Sequence, residues 1–140
     1  VESRYEILMD EYEKQINIEA LTMLDIAKKD ILPAASKFSK ELTDTITNKK
    51  AIGIDLTYEL ETAKKVSEYL TEAYQAMMTL ENDVKKLHEI DDFEKSAFYV
   101  RDFIIQDMAA LRKPCDELEV VTSNEAWPFP TYGKLLFSIL

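Results

Sequence analysis

Few side chains in this sequence are suited to chemistry, and they are scattered. His88 is the only histidine and Cys115 the only cysteine, 27 residues apart. A nucleophilic thiol needs a base beside it to form its thiolate, and an elongated helical arrangement sets these two toward opposite ends. A lone histidine also lacks the paired Glu-x-x-His motifs of a ferritin-like di-metal centre. His88 is therefore read as a solvated residue near a helix end, where partial positive charge suits the helix dipole. Cys115 follows Pro114 on an apolar stripe and is read as a core thiol. The acidic runs Asp10-Glu11-x-Glu13 and Asp91-Asp92 have no calcium-loop spacing with its central glycine. The chain has two glycines, Gly53 and Gly133. A G-x-G-x-x-G phosphate fingerprint is thus impossible, and no nucleophile elbow is present. The reading is a non-catalytic module: catalytic, cofactor-binding and metal residues are all expected to be none.

The charge points the same way. The net charge is −10, with no basic patch to neutralise phosphates or dock on anionic lipid. Neither nucleic acid nor membrane is an expected partner. Asp10/Lys14, Asp25/Lys29, Lys37/Glu41, Glu61/Lys65 and Glu81/Lys85 sit four residues apart, as on solvated helix faces. One cysteine allows no internal disulfide, and a reducing cytoplasm is the expected compartment.

The elements that position these residues read as helices. With 140 residues, 46% of them hydrophobic, the chain can build a real core. Apolar residues recur in steps of three and four through Tyr5, Met9, Tyr12, Ile16, Ala20, Met23, Ala27, Ile31, Ala34, Phe38 and Leu42. Pro33 lies inside this stripe and predicts a kink near residues 29–33. A second stripe runs Leu56, Leu60, Ala63, Val66, Leu70, Ala73, Met77, Leu80, Val84 and Leu87. Asp91-x-x-Glu94 resembles a capping box that opens a third: Ala97, Val100, Ile104, Met108, Leu111, Cys115, Leu118 and Val121. Pro114 predicts a bend there. Short links make neighbouring helices antiparallel. The expectation is all-α: an elongated antiparallel three-helix bundle, coiled-coil-like, over 1–126 (helices about 3–49, 56–90 and 92–125). An extended Pro/aromatic C-terminal tail, 127–140, completes it.

Two surfaces look unmatched. The first helix outruns its partners by about a dozen residues, or ~18 Å, leaving Tyr5, Ile7, Leu8, Met9 and Tyr12 with no partner in the bundle. Between Ile16 and Ala35, Ile18, Leu21, Leu24, Ile26 and Leu32 add apolar character on other faces, more than one buried face needs. Tyr5, Leu8, Tyr12, Ile18, Leu21, Leu24, Ile26 and Leu32 are thus candidates for packing against something outside the bundle. In the tail, Pro128 and Pro130 stop the helix pattern by Trp127. Trp127, Phe129, Tyr132, Leu136 and Phe137 are too apolar to remain in water and are expected to dock as an anchor. The chain opens at Val1-Glu2-Ser3-Arg4 with helical spacing already under way, which suggests a piece of a larger protein.

Both ends resemble one family. The strings Ser3-Arg-Tyr-Glu-Ile-Leu-Met-Asp-Glu-Tyr and Ile16-Asn-Ile-Glu-Ala-Leu-Thr-Met-Leu-Asp-Ile-Ala-Lys-Lys-Asp-Ile-Leu-Pro-Ala34 look like the start of the C-terminal helical region of type III glutamine synthetases. The tail Trp127-Pro-Phe-Pro-Thr-Tyr-Gly-Lys-Leu-Leu-Phe137 is similar to the end of those enzymes. Residues 50–110 match only as amphipathic helix. The resemblance implies a parent that joins ammonia to glutamate with ATP and a divalent metal, Mg, using residues upstream of this chain. It also implies a homo-oligomer of two stacked hexameric rings, a dodecamer, with this domain serving packing and assembly. The alternative is a stand-alone coiled-coil adaptor whose aromatic tail binds a partner protein.

Overall fold

The computed structural model of the chain describes residues 2–129, with side chains from residue 4 onward. Tyr132, Leu136 and Phe137 of the expected anchor lie outside the described residues. Three helical rods account for the rest, and no strand occurs among the described residues. The first rod joins α1 (Glu2–Ile26) to α2 (Leu32–Ala51) through one wide π turn (Ala27–Ile31). The second is α3 (Thr57–His88), unbroken for 32 residues, or ~48 Å. The third joins α4 (Phe93–Tyr99) to α5 (Ile105–Val121) through a second π turn (Val100–Ile104).

Side chains that bridge the rods fix their directions. Lys49 pairs with Glu59 at 2.6 Å, Lys28 pairs with Glu81, and Asn17 meets His88 at 3.0 Å. Numbers fall on α3 as they rise on the first rod, so these two run antiparallel. The Ser96 hydroxyl donates to the Glu13 carboxylate at 3.0 Å, with α4 running alongside α1. The Tyr99 hydroxyl donates to Asp83 Oδ1 at 2.9 Å, and the Glu117 carboxylate acts on the Tyr69 hydroxyl, so the third rod runs back along α3. The result is the expected antiparallel three-helix bundle.

Local chemistry explains where each helix starts and stops. Gly53, at φ +73°, turns the chain after α2, a conformation that glycine reaches without strain. Asp55 Oδ1 accepts from the Thr57 N–H at 3.2 Å and its hydroxyl at 2.8 Å, opening α3. These bonds hold the Asp55 carboxyl below its usual range. The expected capping box at Asp91/Glu94 is corrected by one residue. Asp92 is the N-cap, and its side chain accepts from the Lys95 N–H at 3.0 Å. The third rod ends at Val121, short of the expected 125, because Thr122 turns extended at ψ 141°. The Ala126 and Trp127 N–H groups then bond back to the Ser123 carbonyl.

Both prolines in helical segments are accommodated. Ahead of Pro33, the Leu32 N–H reaches back five residues to the Ala27 carbonyl. The expected disturbance near 29–33 is thus a π turn, widening the helix just where proline's ring would crowd the preceding turn. Pro114 lies inside α5, which continues for seven more residues to Val121, and its ring is fully buried.

The core follows the stripes with local shifts, one of which buries Ala35 rather than Ala34. Ala20, Leu24, Ala27, Ile31, Ala35, Phe38 and Leu42 face Val66, Ala73, Met77, Leu80, Val84 and Leu87, with Val100, Ile104, Leu111 and Leu118 from the third rod. Near the start of α3, Leu60 is 42% exposed, while Glu59 and Thr62 are buried in its place. Lys49 neutralises Glu59 there and holds its carboxyl below the usual range. No helix among the described residues is long and apolar enough to cross a membrane.

Candidate functional site

The exposed flank of the first rod is the feature with most to explain. Tyr5, Leu8 and Tyr12 are 60%, 57% and 45% exposed, and Ile18 and Leu21 are 62% and 45% exposed. At ~100° per residue, Tyr5, Leu8 and Tyr12 form one strip, and Ile7, Ile18 and Leu21 another. The buried row of Ala20, Leu24 and Ala27 runs between them. The first strip does not stand in isolation. Tyr5, Met9 and Tyr12 line one wall of an open groove of 1020 Å³ whose other wall holds Phe93, Phe98 and Arg101. Phe98 is itself 53% exposed, with the Arg101 guanidinium 5.5 Å above its ring. The apolar surface thus continues from α1 onto α4.

Three residues in the expected set sit differently. Leu24 is buried in the chain's own core, and Ile26 and Leu32 are half-buried against it. The bundle itself covers much of what looked unmatched between Ile16 and Ala35. The overhang is also shorter than a dozen residues. Glu13 already meets Ser96, and Met9 is half-buried. Among the described side chains, those of residues 4–8 are exposed, a stretch of ~7 Å.

At the other end Trp127 is 7% exposed and belongs to the core, with Phe129 packed against it. Their rings meet edge to face with centroids 6.4 Å apart. The first two anchors of the tail are therefore seated on their own bundle.

Neither lone chemical residue has company. His88 ends α3, exposed, and ties that end to Asn17. Cys115 is half-buried, and burial, helped by Asp116, pushes its thiol up to about 11. A thiol so perturbed is a poor nucleophile near neutrality. Among the described residues, no three His, Cys, Asp or Glu side chains gather to hold a metal.

One polar cluster went unnoticed in the sequence. Tyr99, at the end of α4, stacks on Phe103 with centroids 4.7 Å apart and donates to Asp83. Asp107, two turns further along the third rod, interacts with the same Asp83 carboxyl. Burial and the neighbouring Asp83 raise Asp107 to about 7, and burial with Asp83 pushes Tyr99 to about 12. The only available sequence signal was spacing: Tyr99, Phe103 and Asp107 are four apart, with Asp83 on a different helix.

Comparison with known proteins supplies the context that this surface lacks. Residues 1–50 match the family model described as the glutamine synthetase C-terminal domain. The chain is 34% identical over 139 residues to a glutamine synthetase of Butyrivibrio fibrisolvens, covering 98% of this chain and 20% of that protein. It is 25% identical over 141 residues to a glutamine synthetase of Bacteroides fragilis, covering 96% of the chain and 19% of that protein. It is 27% identical over 147 residues to a type-3 glutamine synthetase of Dictyostelium discoideum, covering 98% and 20%. The chain spans about a fifth of the length of these relatives. The resemblance carried by the two end strings therefore extends along nearly the whole chain, and the family model likens its first 50 residues to the glutamine synthetase C-terminal domain.

Proposed function

We propose, from this kinship as premise, that the chain is a non-catalytic helical domain that packs on the rest of a type III glutamine synthetase and helps to assemble its subunits. The parent reaction would be the ATP-dependent ligation of ammonia to glutamate in the cytoplasm. ATP and Mg would be held elsewhere in the parent, and the oligomer would be the double-ringed dodecamer of the family. The observation that carries this reading is the exposed apolar surface of α1, continued by Phe98 on α4. A solvated helix face has no use for Tyr5, Leu8, Tyr12, Ile18 and Leu21, and exposed apolar surface of this kind marks interaction sites. Polar substitution there should leave the bundle intact and cost the assembly.

The test is made in the whole parent enzyme. Leu8→Glu with Leu21→Glu should shift it to smaller species in sedimentation, while the helical content of this domain is unchanged. An unchanged oligomer with full activity would sink the assembly role. Truncation at Ala126 is a poorer test, because it removes Trp127 and Phe129 from the core. That seating also weighs against a stand-alone adaptor with a free aromatic tail, since two of its recognition residues are already engaged.

A further inference from the structure

The carboxyl pair between the second and third rods does something that the assembly role does not require. Asp83 on α3 and Asp107 on α5 meet across the seam, both half-buried. Two ionised carboxylates offer only acceptors to each other, so their contact is repulsive unless a proton lies between them. Asp83 has one donor, the Tyr99 hydroxyl at 2.9 Å on Oδ1. Asp107 Oδ2 is fully shielded from solvent and has no hydrogen-bond partner among the described residues. The donor that would satisfy this contact is a carboxylic acid proton.

We propose that Asp83 and Asp107 form a proton-operated latch, fastening α5 to α3 while they share one proton and loosening that seam when they lose it. The proposal is independent of what the first rod docks against. Burial, with the Asp83 carboxyl beside it, holds Asp107 up at about 7, which places its charge change near neutrality. Asp107 is acted on across the seam by Asp83, and Tyr99 by both carboxyls. No cation is among the groups acting on Asp107; Lys28 and Lys85 pair with Glu81, and Arg101 with Asp102 and the Phe98 ring. Lys86, one turn along α3, is exposed. The folded state therefore holds the proton more tightly than the unfolded chain, where the ordinary value is 3.8. The latch's stabilisation is full below that value and declines as pH rises through about 7.

The test is thermal unfolding of the chain across pH 5 to 9, beside Asp107→Asn. An amide donates to Asp83 at every pH, so this variant should lose the fall in midpoint that the native chain shows from pH 6 to 8. It should also melt above the native chain at pH 8.5. An identical slope in both proteins would overturn the latch. A second readout does not depend on the variant folding: carbon-13 NMR of the aspartate carboxyls should show one titrating near neutrality. If every aspartate carboxyl titrates below pH 5, the proposal fails. In Asp83→Asn the neutral-range titration should move to lower pH, since the repelling charge is gone; a midpoint unchanged from the native chain would count against the pair.

Discussion

Cys115 shows how far environment sets the behaviour of one side chain. Burial raises its thiol to about 11 from an ordinary 9.0, so the thiolate fraction near neutrality drops. Two pH units correspond to roughly 100-fold less thiolate. Alkylation by iodoacetamide at pH 7.5, followed by mass spectrometry, should be slower than for a free cysteine by about that factor. It should accelerate as pH approaches 10, while the bundle remains folded. A rate equal to that of the free amino acid would show that the thiol is solvated. The core setting of Cys115 was legible from its place on a stripe. The Asp83–Asp107 contact was not, because it depends on how two rods rotate about each other. Stripe positions report which way a residue faces its core, and both aspartates sit at the stripe's edge, where small rotations decide between water and seam.

Among the elements, helix boundaries depended on caps. Asp92 accepts from the Lys95 N–H and opens the third rod. Asp92→Ala should destabilise the chain by about 1 kcal/mol, measured by urea unfolding. Asp91→Ala should change little, since Asp92 fills the capping position. Equal losses from the two would mean that the acidic pair acts only through the helix dipole. Sequence favoured the box beginning at Asp91 because Glu94 lies at the right distance. The chain instead uses the aspartate directly before Phe93, where β-region backbone at φ −78° and ψ 126° aims the carboxylate at the Lys95 N–H. The first π turn was foreshadowed by Pro33; the second carried no such marker, since two successive steps of four also occur in a regular 3.6-residue repeat.

The whole molecule is a bundle that satisfies its own core and leaves one flank unfinished. Three rods, their directions and most of their buried rows were readable because burial on a helix repeats with the turn. The extent of the overhang was not readable, since it depends on where α4 begins to pack beside α1. Leu24 was misplaced because two apolar strips flank the buried row, and sequence does not say which of three neighbouring lines is central. Deprived of a partner, the strips through Leu8 and Leu21 should bring copies together. Light scattering on the chain should therefore show mass rising with concentration, and Leu8→Glu with Leu21→Glu should return it to monomer with an unfolding midpoint near that of the parent sequence. A strict monomer at high concentration before substitution would contradict this.

The wide turn at Ala27–Ile31 also bears on how this rod tolerates changes of length. Inserting one residue into a regular α-helix swings everything beyond it by ~100° and carries the apolar row out of the core. A π turn takes up an extra residue within a single loop of backbone and hands the following helix on nearly in phase. Residues 27–31 can thus absorb a one-residue deletion that would be ruinous one turn earlier or later. Descendants that lost one codon here would straighten the rod while Phe38 and Leu42 kept their seats against α3.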